Sequence, residues 1–216
     1  GTMNSCNPVF IEVGLKVGAK NFYKYLGKLG LLNRTGIDIP GEASTIIHKI
    51  QNVGEVELAT MSFGQSFQIT PMQYLVAASA VVNGGTLVTP HFAVKAENAD
   101  NKLVEKFQYK SQSNAISKNT SETMKFILEK VVSEGTGSKG QVPGFKVGGK
   151  TATSQKLPRG SGRYIASYMS FAPADKPKVI AMAIIDEPKG IYYGGQVAAP
   201  LISQLYKNIL PYLLEG

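Results

Sequence analysis

Apolar and polar positions alternate along the chain in patterns that predict discrete elements. Val9, Phe10, Val13, Leu15 and Val17, followed by Phe22, Tyr23, Tyr25 and Leu26, read as helix from Pro8 to Gly30. Gly14 and Gly18 are its weak points, so two pieces are allowed. Residues 36–44 carry Asp38, Pro40 and Gly41 and read as loop. Thr70-Pro71-Met72-Gln73 is a strong helix start, with Thr70 as cap, Pro71 at the first helical position and Gln73 closing a capping box. That helix runs to Asn83-Gly84-Gly85. Strands are expected over 86–95 and 103–109, and a further helix over 121–133, with Met124, Ile127, Leu128 and Val131 on one face.

Beyond the Val142-Pro143-Gly144 turn the period changes. Residues 145–153, 164–172 and 178–185 read as three strands, the last an unbroken apolar run of the kind expected when both faces are buried. A closing helix from about Pro200 shows Leu201, Ile202, Leu205, Tyr206, Ile209 and Leu210 on one stripe. Ser203, Gln204, Lys207 and Asn208 form the other. Sequential strands followed by a helix predict an α+β fold, an antiparallel sheet with helices packed against it.

At 216 residues and 43% hydrophobic content, the chain can build a real core. Its longest apolar runs, Tyr74–Val82 and Val179–Ile185, fall well short of the about 20 residues a membrane helix needs. The net charge of +8 comes from scattered lysines without interleaved aromatics, a solvated basic surface and not a nucleic-acid footprint. His48 and His91 have no Cys, His or acidic neighbour at ligand spacing, so no metal is expected. The single cysteine, Cys6, excludes a disulfide within one copy.

Two short motifs carry candidate chemistry. One is Ser5-Cys6-Asn7, and the other is Lys150-Thr151-Ala152-Thr153, preceded by Val147-Gly148-Gly149. Taken alone, Ser5 reads as a helix cap ahead of Pro8, Lys150 as a surface lysine at a strand end, and Cys6 as a small buried residue. Together they match the second and third members of the set S-x-x-K, S-D-N and K-T-G of penicillin-recognising serine enzymes, with Cys for Asp and Ala for Gly. Other short segments follow in order. They include 35–42 (TGIDIPGE), Gly64-Gln65, 69–73 (ITPMQ), Asn83-Gly84-Gly85 and Gly135-Thr136-Gly137. Phe171-Ala172-Pro173-Ala174, Asp186-Glu187-Pro188, Tyr193-Gly194-Gly195 and Ala198-Ala199-Pro200 complete the series.

On these residues the chain resembles the class B penicillin-binding protein transpeptidase domain over nearly its whole length. The Lys-Thr-Ala-Thr variant is similar to that of the family's sporulation-specific member. The resemblance implies a serine transpeptidase/β-lactamase-like fold and a D,D-transpeptidase that cross-links peptidoglycan through an acyl-serine intermediate. It implies a proton-relay role for Ser5, amide binding for Asn7 and a positive potential from Lys150, which also orients Ser5. Thr151 and Thr153 would contact the substrate carboxylate, the Thr153 amide would form half of an oxyanion hole, and Ala152 would let substrate approach the backbone. Peptidoglycan stem peptides and β-lactam antibiotics are the implied ligands, with a glycosyltransferase partner for the parent protein and no cofactor. The parent is expected outside the cytoplasm, held by an N-terminal membrane anchor.

No serine in the chain has lysine at the third following position: Ser121 meets Met124, for example. The resemblance places that motif N-terminal to Ser5, so residues 1–216 are expected to form one partial domain lacking the nucleophile and the first strands. Such a chain would be inactive alone. A non-catalytic penicillin-sensing or scaffold module is the alternative.

Overall fold

The computed structural model describes residues 1–214. They fall into two compact units, one of Gly1–Val13 with the residues from Glu122 onward, the other Gly14–Ser121.

In the first unit, β5 (Gly148–Gln155), β6 (Tyr164–Ala172) and β7 (Val179–Asp186) form an antiparallel sheet in that order. The register sets Lys150 opposite Met169, and Met169 opposite Met182. Helix α6 (Ala199–Leu214) packs on one face. Its Ile202, Tyr206 and Leu210 join Val132, Val142, Val147, Tyr168 and Ala172 in the core. The buried Tyr206 hydroxyl donates to the Ser170 carbonyl at 2.7 Å, which satisfies a group that would otherwise be costly to bury.

Two sequence expectations change here. The buried strand is β6, flanked on both sides, whereas β7 lies at the sheet edge and is half-buried. Its Val179, Ala181, Ala183 and Ile185 pack on the core, while Ile184 is 44% exposed. An apolar run thus reports composition and not position in the sheet. On α6, Leu201 and Leu205 stand 54% and 42% exposed, and Ser203, expected on the polar stripe, is buried with its hydroxyl donating to the Gln141 carbonyl at 2.7 Å. The buried stripe is narrower, at Ile202, Tyr206 and Leu210, because these are spaced four apart.

In the second unit, α3 (Pro71–Val82) begins as read from sequence. Thr70 Oγ1 accepts from the Gln73 amide at 3.1 Å, and Gln73 Oε1 accepts from the Thr70 amide at 2.8 Å. Gln73 is buried, and its Nε2 donates to the Asn33 carbonyl and to Thr45 Oγ1. Helix α2 (Glu55–Ser62), which the periodicity did not reveal, starts where the Glu57 carboxylate accepts from the Gly54 amide at 2.9 Å.

The strands expected over 86–95 and 103–109 are shorter than read. They are β1 (Leu87–Val88) with β4 (Ser111–Gln112), and β2 (Lys95–Glu97) with β3 (Leu103–Lys106). The loop at 36–44 is fixed by two carboxylates. Glu42 accepts from the amides of Thr35 and Gly36, and Asp38 accepts from those of Phe92 and Ala93 and from the Tyr109 hydroxyl. Those two amides hold the Asp38 carboxyl below its usual range.

Helix α1 (Asn7–Lys28) contributes to both units and breaks at Gly18, which has φ 76° and ψ 153°. Helix α4 (Lys118–Ser133) starts three residues earlier than the periodicity suggested, because Ser117 Oγ accepts from the Thr120 amide and draws the first turn upstream.

Candidate active site

The two motifs singled out in sequence meet within the first unit. Lys150 Nζ donates to Ser5 Oγ at 2.8 Å across 145 positions of chain, and to the Thr151 carbonyl at 2.9 Å. Ser5 is therefore not the cap of α1, which begins at Asn7. Its hydroxyl is engaged by the lysine. Burial lowers the Lys150 pKa from the ordinary lysine value, because a half-desolvated ammonium is disfavoured relative to the neutral amine.

Lys150 sits on β5, the edge strand opposite β7. Paired residues in an antiparallel sheet share a face. Lys150 and Ala152 therefore lie on the face of Met169 and Ser167, while Thr151 and Thr153 lie on the face of Tyr168 and Ala166, which supplies the α6-packed core. Two glycines let β5 lie close to β6. A Cβ on Gly148 would enter the Phe171 ring, and one on Gly149 would stand 2.7 Å from both the Met169 carbonyl oxygen and the Tyr168 hydroxyl.

Ser5 closes a tight turn. Its amide donates to the Thr2 carbonyl at 3.2 Å, the Cys6 amide donates to the Gly1 carbonyl at 3.0 Å, and Ser5 itself has φ 51°. Cys6 is half-buried with a free thiol. Asn7, the first residue of α1, is exposed, as is Ala152 on β5.

The remaining predicted residues hold the frame together. Thr151 Oγ1 donates to Thr136 Oγ1 at 3.3 Å, and Thr153 Oγ1 accepts from the Gly194 amide at 3.0 Å. The short helix α5 (Gly194–Val197) lies so close to β5 and β6 that a Cβ on Gly194 would run into the Ala152 and Ser167 carbonyls.

Gly135-Thr136-Gly137 and Tyr193-Gly194-Gly195 stand out in the sequence as motifs, but nothing in the sequence gives them a role. Nor does the sequence signal the aromatic stack beside the end of β5. Tyr164, which pairs with Gln155, stacks on Tyr192 at 4.0 Å, and Tyr192 leans on Tyr193. Among the described residues no group of His, Cys, Asp and Glu could hold a metal ion.

A partly desolvated lysine on an edge strand thus meets a serine hydroxyl, with two threonines beside it on the same strand. The family model for the penicillin binding protein transpeptidase domain matches residues 1–207, and the chain belongs to that family. It is 42% identical over 215 residues to stage V sporulation protein D of Bacillus subtilis, spanning 97% of this chain and 33% of that protein. It is 32% identical over 194 residues to the probable peptidoglycan D,D-transpeptidase PenA of Neisseria meningitidis serogroup A, spanning 88% and 32%. The chain thus spans about a third of the length of the curated relatives it matches. Penicillin binding protein 3 of Mycobacterium tuberculosis, solved in complex with aztreonam, superimposes with a TM-score of 0.86 at 28% identity. The match covers 99% of this chain and 50% of that one.

Proposed function

We propose that these residues form the proton-relay and substrate-holding half of a D,D-transpeptidase site that cross-links peptidoglycan stem peptides. The nucleophilic serine comes from an S-x-x-K segment outside the 216 residues, which contain no such motif. The observation that carries this reading is the 2.8 Å contact from Lys150 Nζ to Ser5 Oγ.

With the Lys150 ammonium donating to it, Ser5 Oγ keeps its own proton free to pass on. The nucleophile attacks the donor stem peptide's carbonyl, and its proton goes to the lysine of S-x-x-K. Ser5 then relays a proton to the departing amine as the C–N bond breaks and the acyl-serine forms. In the second half, the acceptor stem peptide's amine attacks the acyl-serine, and its surplus proton returns by the same route. The Asn7 amide holds the substrate amide. Thr151 and Thr153 receive the substrate carboxylate, the Thr153 hydroxyl donating its own proton while its oxygen keeps the Gly194 amide. The Thr153 amide serves the developing oxyanion. The open edge of β5 suits an extended peptide, and the small side chain of Ala152 lets it approach.

The same site acylates with β-lactams, as the aztreonam complex of the structural relative supports. The sporulation name of the 42% identical relative supports a role in spore-envelope peptidoglycan. A peptidoglycan substrate favours a parent protein outside the cytoplasm, membrane-attached and beside a glycosyltransferase that supplies the glycan strand. No helix among the described residues is long and apolar enough to cross a membrane.

The missing S-x-x-K favours a second reading, a non-catalytic penicillin-sensing or scaffold module. Intact-mass measurement after incubation with a β-lactam separates the two. The chain as given and a polypeptide joining it to the family's S-x-x-K segment are compared. A single adduct on the joined polypeptide alone supports the transpeptidase. Adducts on neither support the scaffold, and an adduct on the chain as given means the nucleophile lies within it.

A further inference from the structure

We infer that Thr136 is a positioning residue that ties the Ser5 turn to the Lys150 strand and so sets the contact between the two. The inference rests on the proposed site. Thr136 touches both segments that meet there. Its amide donates to the Met3 carbonyl at 3.2 Å, and its hydroxyl donates to the same carbonyl at 3.3 Å. That hydroxyl also accepts from Thr151 Oγ1 at 3.3 Å. One side chain thus bridges a residue two positions before Ser5 and a residue one position after Lys150.

The surroundings leave Thr136 little freedom. A Cβ on Gly135 would stand 2.5 Å from the Met3 carbonyl oxygen, and one on Gly195 would stand 2.5 Å from the Thr136 carbonyl oxygen. Both glycines let backbone approach backbone at distances no other residue allows. On the far side of Thr136, the Gly137 amide donates to the Val131 carbonyl at 2.9 Å, anchoring the loop to the end of α4.

There is also something for the tie to hold. Ser5 has φ 51°, a left-handed conformation that is strained for a non-glycine residue and persists only where neighbours over-determine it. Among the described residues, the turn's own backbone bonds run back to Gly1 and Thr2. Thr136 adds a bond from outside the turn, from a loop that is itself fixed.

The test compares Thr136→Val and Thr136→Ser, following the Lys150 ammonium by NMR of 13C-labelled lysine across a pH titration. The Val variant keeps the shape and loses both hydroxyl bonds, whereas the Ser variant keeps them. Without the tie, the turn and the strand separate, water reaches Nζ, and the Lys150 titration moves up toward the ordinary lysine value. The Ser variant titrates with the wild type. A general loss of stability would lower the melting temperature of the Val variant but leave the titration of its folded form in place.

An unmoved Lys150 titration in folded Thr136→Val overturns the inference, and so does an equal shift in Thr136→Ser. If the Val variant does not fold, Thr136→Ala removes the same hydroxyl without the branched bulk and is read in the same way. In the polypeptide carrying S-x-x-K, β-lactam acylation is expected to fall at least ~10-fold in the Val variant and less than ~3-fold in the Ser variant, as small misplacements of reacting groups do. Failure of the wild type to acylate would count against the proposed function alone, since the Lys150 titration judges Thr136 without it.

Discussion

Lys150 Nζ lies 2.8 Å from Ser5 Oγ, and Lys150 stands on an edge strand whose glycines and neighbouring loop leave it little room to move. The lysine is a donor in this contact, so the serine hydroxyl keeps its own proton for relay. Lys150→Arg is expected to be no substitute, because a planar guanidinium needs more space and a different approach than a point-like ammonium. β-Lactam acylation of the polypeptide carrying S-x-x-K is the readout, with a loss of about 10²-fold or more expected, the range of a misaligned acid–base group. Acylation near the wild-type rate would show that only the positive charge matters.

The buried amine also gives the fold a pH dependence of definite sign. Burial lowers the Lys150 pKa from the usual 10.5. Between the lowered value and 10.5 the unfolded chain binds more protons than the folded one, so the contribution of Lys150 to stability rises with pH through that window. Below it, the folded protein carries a desolvated charge. Tyr206, pushed by burial up to about 12, and Tyr168, also raised by burial, act oppositely above the ordinary tyrosine value. Both remain in a Lys150→Met variant and cancel in the comparison. The stability advantage of Lys150→Met over the wild type, read as the urea midpoint, is expected to shrink as pH rises toward 10.5. A constant or growing advantage would contradict the assignment.

Gly194→Ala is expected to damage both fold and site. The added methyl would drive into the Ala152 and Ser167 carbonyls and push α5 off the sheet, breaking the bond from the Gly194 amide to Thr153 Oγ1. Thermal unfolding should show a loss of about 1–3 kcal/mol, the scale of overpacking against a rigid neighbour. An unchanged melting temperature would mean that α5 gives way freely.

Tyr206 separates packing from polarity in the core. Tyr206→Phe removes the buried hydroxyl that donates to the Ser170 carbonyl and should cost about 0.5–2 kcal/mol, the scale of a lost hydrogen bond. Tyr206→Ala also opens a cavity beneath the sheet and should cost about 3–5 kcal/mol. Equal losses in the two variants would place all of the tyrosine's contribution in its hydroxyl.

Much of this was legible in the sequence where local chemistry decides the outcome. Thr70, Pro71 and Gln73 announce a helix start, and the structure has it with both capping bonds. Gly18 was a weak point of α1 and is where the helix breaks. The Ser5 and Lys150 motifs stood out, but only their resemblance to a family implied that residues so far apart meet.

What the sequence hid depends on neighbours. The apolar run of β7 resembles a fully buried strand, yet its place at the sheet edge leaves Ile184 exposed. Leu201 and Leu205 resemble core residues of α6, while Ser203, polar by composition, is buried because the Gln141 carbonyl accepts its hydroxyl. Thr136 lies between two glycines in what reads as an ordinary turn. Its link to Met3 and Thr151 exists only in the folded chain.

The most direct test of the Ser5–Lys150 relay is a double-mutant cycle on the acylation rate, using Ser5→Ala, Lys150→Ala and both together in the polypeptide carrying S-x-x-K. If the two residues act as one unit, each single variant loses about 10²–10⁴-fold. The double variant then loses little more than either single one, as groups that work as a unit do. Losses that multiply in the double variant, or single variants that acylate normally, would show that the 2.8 Å contact is not the working part of the site.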